Sequence, residues 1–213
     1  MTTTFPDISI STERLVLRPL EEEDVPALVE MMNDELVVAW TTVPHPFTEE
    51  TARAWLTHRA PAERTAGRGL DLAVTEFLTQ RLVGVLRLTA TDWRLRATEL
   101  RYAIAPWARG EGYACEASLA VAQWLFDDQH FERIELRTAA GNTASQQVAQ
   151  KIGCISEGVL RGAFIARTRN DGDPTWTDTR SDLILWSLLP EDLEGVTDQL
   201  ADAAGFTAFS DWN

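Results

Sequence analysis

Residues 98–128 constrain the fold more than any other stretch. Thr98-Glu-Leu-Arg-Tyr-Ala-Ile104 alternates polar and apolar side chains over a strand's length, and Pro106, which has no N–H to give a ladder, ends the run. Residues 114–128 are rich in Ala, Leu, Val, Trp and Phe and contain no Gly or Pro, which reads as a buried helix. Between the two lies Ala105-Pro-Trp-Ala-Arg-Gly-Glu-Gly-Tyr113. A strand therefore feeds a glycine-containing turn, and the turn opens a helix. Gly110 and Gly112 let the backbone approach a ligand closely. The first N–H groups of a helix have no intrahelical partner, so this turn suits an anion such as a pyrophosphate, with Arg109 adding positive charge at the rim. Two glycines at a helix start also suit a turn that binds nothing. A Walker-type loop fits poorly because no Lys follows Gly112, and so does a dinucleotide fingerprint because Cys115 holds its third glycine position.

The rest of the chain reads as one α/β domain with a mixed sheet. Residues 1–9 form a flexible arm, and residues 13–20 are a first strand. The acidic run Glu21-Glu-Glu-Asp24 before Pro26 starts a helix ending near Asn33. Residues 40–47, with prolines and aromatics but no period, read as a loop, and Thr48 starts a second helix. Residues 70–76 and 81–89 form a meander that leads into the strand at 98. Residues 132–138 alternate cleanly, Asn142 caps a helix to about Ile152, and Gly153 ends it. Further strands follow at 155–160 and 179–189, and Pro190 opens a last acidic helix with a tail. The domain spans residues 10–190, with 191–213 packed on it.

At 213 residues one sizeable core is affordable, and 45% hydrophobic with 24% charged residues is ordinary for a soluble protein. No apolar run approaches membrane length and no leader pattern is present, so a cytoplasmic protein with no membrane partner is expected. Two cysteines make no disulfide framework, and three histidines without ligand spacing indicate no metal. The net charge of −14 argues against a nucleic-acid partner and favours cationic molecules by steering, or serves solubility alone.

Arg109-x-x-Gly112-x-Ala114 after an alternating strand resembles the acyl-CoA pyrophosphate loop of the GNAT N-acyltransferase superfamily. The likeness extends to Leu15-Val-Leu-Arg-Pro-Leu20, Leu82-Val-Gly-Val-Leu-Arg-Leu88, Asn142-Thr-Ala-Ser145, Lys151-Ile-Gly153 and Glu157-Gly-Val-Leu-Arg161. In this order over residues 10–190, the set resembles the branch of the RimJ/RimL ribosomal-protein N-terminal acetyltransferases. The resemblance implies a GNAT-like α+β domain whose central, mostly antiparallel sheet is flanked by helices. It implies transfer of an acetyl group from acetyl-CoA, as cosubstrate and without a metal, to a primary amine of a protein, a peptide or a small molecule. It is also compatible with a homodimer. The alternative is a CoA-binding sensor of the same fold without turnover.

The resemblance also implies site residues. Tyr102, Ala103 and Ile104 offer main-chain groups to the pantetheine arm, and Arg109, Gly110, Glu111, Gly112, Tyr113 and Ala114 hold the pyrophosphate. Asn142 faces the CoA arm, caps its helix, or does both. Many relatives place a general-acid Tyr later on that helix, where this chain has Ala149, so Ser145 remains as donor to the leaving sulfur. Glu99 is the candidate base, or simply the polar end of a strand. Arg101 stands where the branch has Gly and shares a face with Glu99, so a salt bridge between them is expected. Trp40, His45 and Phe47 lie where relatives cover the acceptor, or pack on the domain. Cys115 and Cys154 read as small buried apolar residues rather than nucleophiles.

Overall fold

The computed structural model describes residues 4–169 and 175–193. Eight strands form one sheet: β1 (Ile10–Ser11), β2 (Leu15–Arg18), β3 (Leu70–Glu76), β4 (Leu82–Asp92), β5 (Ala97–Ile104), β6 (Arg133–Ala139), β7 (Ile155–Thr168) and β8 (Thr177–Leu188). Their spatial order is β1-β2-β3-β4-β5-β6-β8-β7. All pairings are antiparallel except β5 with β6, so the expected mixed, mostly antiparallel sheet is present. Parallel neighbours need a crossover, and α5 (Tyr113–Asp127) supplies it. Its inward residues, among them Ala117, Val121, Ala122 and Leu125, are buried, which is what its apolar composition requires. The α6 helix (Thr143–Lys151) lies beside α5 on the same side of the sheet.

The opposite face carries α1 (Val25–Met32), α2 (Glu35–Trp40), α3 (Glu49–Ala54) and α4 (Ala60–Thr65). Thr48 caps α3 as the sequence indicates, its hydroxyl accepting from Thr51 N at 3.2 Å. A wide turn at Trp55–Arg59 joins α3 to α4. Pro61 has no N–H to bond the carbonyl four residues back, and the helix widens where that bond is lost. The α2 helix was not expected. Asp34 starts it, accepting from the N–H groups of Leu36 and Val37, so the loop read at 40–47 begins only after Trp40. The last two strands are longer than expected because they are an exposed hairpin whose polar outer half has no apolar alternation to reveal it.

The segment read as a flexible arm has an anchor. Phe5 is 2% exposed and packs against Trp93 (ring centroids 5.0 Å apart) and Phe131 (6.0 Å). Phe5→Ala should cost about 3 kcal/mol, read as a lower urea midpoint at unchanged m value. A helix begins at Pro190, as expected, and the tail beyond residue 193 lies outside the described residues.

Candidate active site

The order of the strands creates an opening. β5 and β6 pair at Ala97↔Arg133, Thr98↔Ile134 and Glu99↔Glu135, and the pairing stops there. β5 stays bonded to β4 as far as Ile104, and β6 to β8 as far as Ala139. The two strands thus part as a wedge, and the β6-facing main-chain groups of residues 100–104 line its β5 side. Tyr102, Ala103 and Ile104 stand on this open edge.

The glycine turn follows directly from that edge. Gly110 and Gly112 have φ of +85° and +81°, a region costly to residues with a Cβ, which is why glycine is needed at both. A Cβ at Gly110 would meet nothing within 4 Å, and one at Gly112 only the end of the Arg14 side chain, so space above the turn is open. The first bonds of α5 run from Cys115 N and Glu116 N to Gly112 O. From Gly110 to Ala114 no backbone N–H makes a hydrogen bond of good geometry to another main-chain group among the described residues, the turn at Arg109–Gly110 being closed only loosely at Glu111. Five consecutive donors at a helix start, with the helix dipole behind them, form an anion cradle.

Arg109 departs from the expected role. Its guanidinium pairs with Asp34, the cap of α2, so its charge is neutralised rather than offered at the rim. Burial pushes the Asp34 carboxyl up, but the Arg109 hydrogen bond and the α2 N–H groups outweigh it and hold it below the usual carboxylate range. Arg14, which the sequence reading missed, braces the turn instead. It donates to Glu111 O at 3.0 Å, pairs with Glu116 and lies over the Tyr113 ring. Both cations beside the turn are paired, so the backbone is the main electropositive element.

Two polar clusters flank the wedge on opposite faces of the sheet. On the α5–α6 side, Asn142 caps α6 by accepting from Ser145 N at 3.1 Å, and the Ser145 hydroxyl lies 2.9 Å from the Tyr102 hydroxyl. Burial, followed by smaller effects of Cys115 and Cys154 and opposed by the Ser145 hydrogen bond, pushes the Tyr102 phenol well above its usual value, so it stays protonated. The family's tyrosine is absent at the buried Ala149, yet a tyrosine hydroxyl reaches Ser145 from β5. The sequence could not reveal this pair, which is 43 residues apart. Neither cysteine stands ready as a nucleophile: burial raises both thiols, Cys154 to about 12.

On the other face, Glu99 is 4% exposed. Its two oxygens lie 2.8 Å from Arg101 Nε and 3.8 Å from Arg137 Nε. The expected Glu99–Arg101 pair is therefore present, but Glu99 is a buried residue at the point of the wedge rather than an exposed strand end. Trp40 ends α2 beside the turn before α6, where a Cβ on Gly141 would come within 3.0 Å of its ring. His45 is exposed and packs edge-on against Trp176 at 5.8 Å, and Arg167 donates to Val43 O at 2.8 Å, so the 41–47 loop leans on the β7–β8 hairpin. Phe47 corrects the expectation: it is 3% exposed and packs on Trp55, so its ring belongs to the core and offers no surface to a substrate.

Residues 14–155 match the profile of the acetyltransferase (GNAT) domain, two thirds of the chain. The chain belongs to the GNAT acetyltransferase family. It is 26% identical over 152 residues to the uncharacterized N-acetyltransferase YoaA of Bacillus subtilis, covering 71% of this chain and 85% of YoaA. In fold it is similar to Mycobacterium smegmatis RimJ, solved in complex with CoA-disulfide, with a TM-score of 0.75 at 20% identity over 93% of this chain and 95% of that one. It is likewise similar to the ribosomal-protein-S5-alanine acetyltransferase from Vibrio fischeri, with a TM-score of 0.71 at 19% identity over 88% and 99%. As a GNAT enzyme the protein transfers an acetyl group from acetyl-CoA to an amine, and a sensor without turnover is not favoured by relatives that are named acetyltransferases. No helix among the described residues is long and apolar enough to cross a membrane.

Proposed function

We propose that acetyl-CoA lies in the β5–β6 wedge with its pyrophosphate on the N–H groups of Gly110, Glu111, Gly112, Tyr113 and Ala114, and that a primary amine attacks the thioester directly. The acceptor is the α-amine of a protein or peptide, or a small amine. The observation that carries this reading is the end of β5–β6 pairing at Glu99↔Glu135, which opens a main-chain edge leading straight to the glycine turn. Acetyl-CoA supplies an activated carbonyl and a thiolate leaving group. Main-chain groups of Tyr102, Ala103 and Ile104 align its arm, and Asn142, whose side-chain oxygen caps α6, offers its amide N–H groups to the same arm. The C–N bond forms as the C–S bond breaks, Ser145 donates a hydrogen bond to the departing sulfur, and the nitrogen loses its proton through water to Glu99. Trp40 and His45 border the approach of the acceptor.

An α-amine, with a pKa of about 7.7–8.0, is about a tenth neutral at pH 7, whereas lysine at about 10.4 requires roughly 3–4 kcal/mol more to lose its proton. Release of free thiol from acetyl-CoA over panels of peptides and amines tests the function. Transfer to internal lysines with none to α-amines or small amines would contradict it. Glu99→Gln should depress kcat most near neutral pH and recover as pH approaches the amine's own pKa. An unchanged profile at full rate would mean that the amine loses its proton to solvent.

A further inference from the structure

The sheet face turned away from α5 and α6 carries a row of charges across β3 to β6, set there by register: Asp71, Arg87, Arg101, Glu99, Arg137, Glu135 and Arg133. Most of them are closed pairs. Asp71 takes Arg87 and the Trp55 Nε1 donor at 3.0 Å. Arg133 holds Glu157 through two bonds of 2.7 Å. The group at the wedge differs. Here one acid lies deep and the bases lie outward: the Glu99 side chain is 4% exposed, against 50% for Arg101 and 39% for Arg137. One buried carboxylate holds two guanidiniums by their Nε sides. Both terminal nitrogens of Arg101 and one of Arg137 meet no acceptor among the described residues. Arg101 and Arg137 each stand two residues beyond the last paired rung, so they face each other across the mouth of the wedge, opposite Tyr102 and Ser145. Glu99 and Glu135 balance the two charges, so what the mouth offers is not net charge but the guanidinium N–H donors left unpaired.

We propose that Arg101 and Arg137 form a carboxylate-binding site for the acceptor, which is therefore an amine bearing a carboxylate within a few bonds of its nitrogen. The inference rests on reading the wedge as the place of transfer. A guanidinium matches a carboxylate with two parallel N–H donors, so two of them fix both the position and the orientation of such an acceptor. Holding the carboxylate aims the neighbouring nitrogen at the thioester. Glu99 keeps both guanidiniums in place from below.

The carboxylate has two chemical sources, a free α-amino acid or an acidic side chain at the start of a peptide. Two substrate pairs separate them: L-alanine against L-alaninamide, and Asp-Ala-Ala-amide against Asn-Ala-Ala-amide. Each pair is compared by kcat/KM in the wild-type protein, Arg101→Gln and Arg137→Gln. Intrinsic differences in amine basicity cancel when a ratio is compared between proteins. The expected result is a wild-type ratio favouring the carboxylate member of one pair by about tenfold or more, falling at least fivefold in both variants, with the responsive pair naming the source. Arg137→Gln guards against a folding effect at Arg101, because its contact with Glu99 is the longer one. The inference is overturned if neither variant changes either ratio, if the carboxylate-free members are preferred, or if no member of either pair is acetylated. Calorimetry with acetyl-CoA keeps this apart from the wedge itself: unaltered binding with unaltered ratios removes only the carboxylate site, whereas a wild-type protein that does not bind acetyl-CoA removes both.

Discussion

Gly112→Val is expected to raise the dissociation constant for CoA by 100-fold or more while leaving a folded protein. Gly112 sits at φ +81° and ψ 4° as the residue that caps α5. A β-branched residue there costs roughly 1–2 kcal/mol or more in backbone strain, which a domain of this size tolerates, but the turn relaxes away from the left-handed region to relieve it. The N–H groups of the turn then no longer keep their places, and the new methyl groups fill the open space above the turn. A 100-fold loss corresponds to about 2.7 kcal/mol, comparable to losing two charge-assisted hydrogen bonds. Calorimetry with CoA measures it, and thermal unfolding confirms the fold. Acetyl-pantetheine, which has no pyrophosphate, should be used equally by both proteins. Unchanged CoA affinity in the folded variant would remove the pyrophosphate from this turn.

What the sequence made legible follows from the range of each interaction. The strand, turn and helix of residues 98–128 could be read because alternation, two glycines and an apolar run are local patterns. Thr48 and Asn142 could be read as caps for the same reason: each bonds an N–H three residues on. The α2 helix could not, because six residues give less than two turns of periodicity and a proline-rich loop adjoins them. Arg109 carries a charge in any sequence reading, and only the fold reveals that Asp34, 75 residues away, takes it. Phe47 looked like a loop aromatic, yet Asn33 clamps its main chain at both N–H and carbonyl and turns the ring inward. The charged row on the sheet was foreshadowed only at Glu99 and Arg101, two residues apart on one strand. Its continuation to Arg137 depends on the parallel register of β5 and β6.

Ser145→Ala should lower kcat by 10- to 100-fold and leave the KM for acetyl-CoA within about twofold. The bond it removes matters only as charge develops on the departing sulfur, and an interaction made in the transition state alone changes kcat and kcat/KM together. A thiol with a pKa of about 8.5 is already a fair leaving group, so a hydrogen-bond donor suffices where a strong acid is not needed. Tyr102 makes serine adequate for this. When the phenol donates across the 2.9 Å contact, the serine oxygen is satisfied and its own proton is directed outward. Tyr102→Phe should therefore slow kcat by about 3- to 10-fold, and Tyr102→Phe with Ser145→Ala should be little slower than Ser145→Ala alone, because the phenol acts through the hydroxyl. The raised phenol pKa fixes the pH dependence. Tyr102 stays protonated over the assay range, so neither variant should move an alkaline limb of the rate profile. Additive losses in the double variant, or an alkaline limb that disappears with Tyr102, would show that the phenol acts on the substrate directly and that Ser145 is only a helix residue beside it.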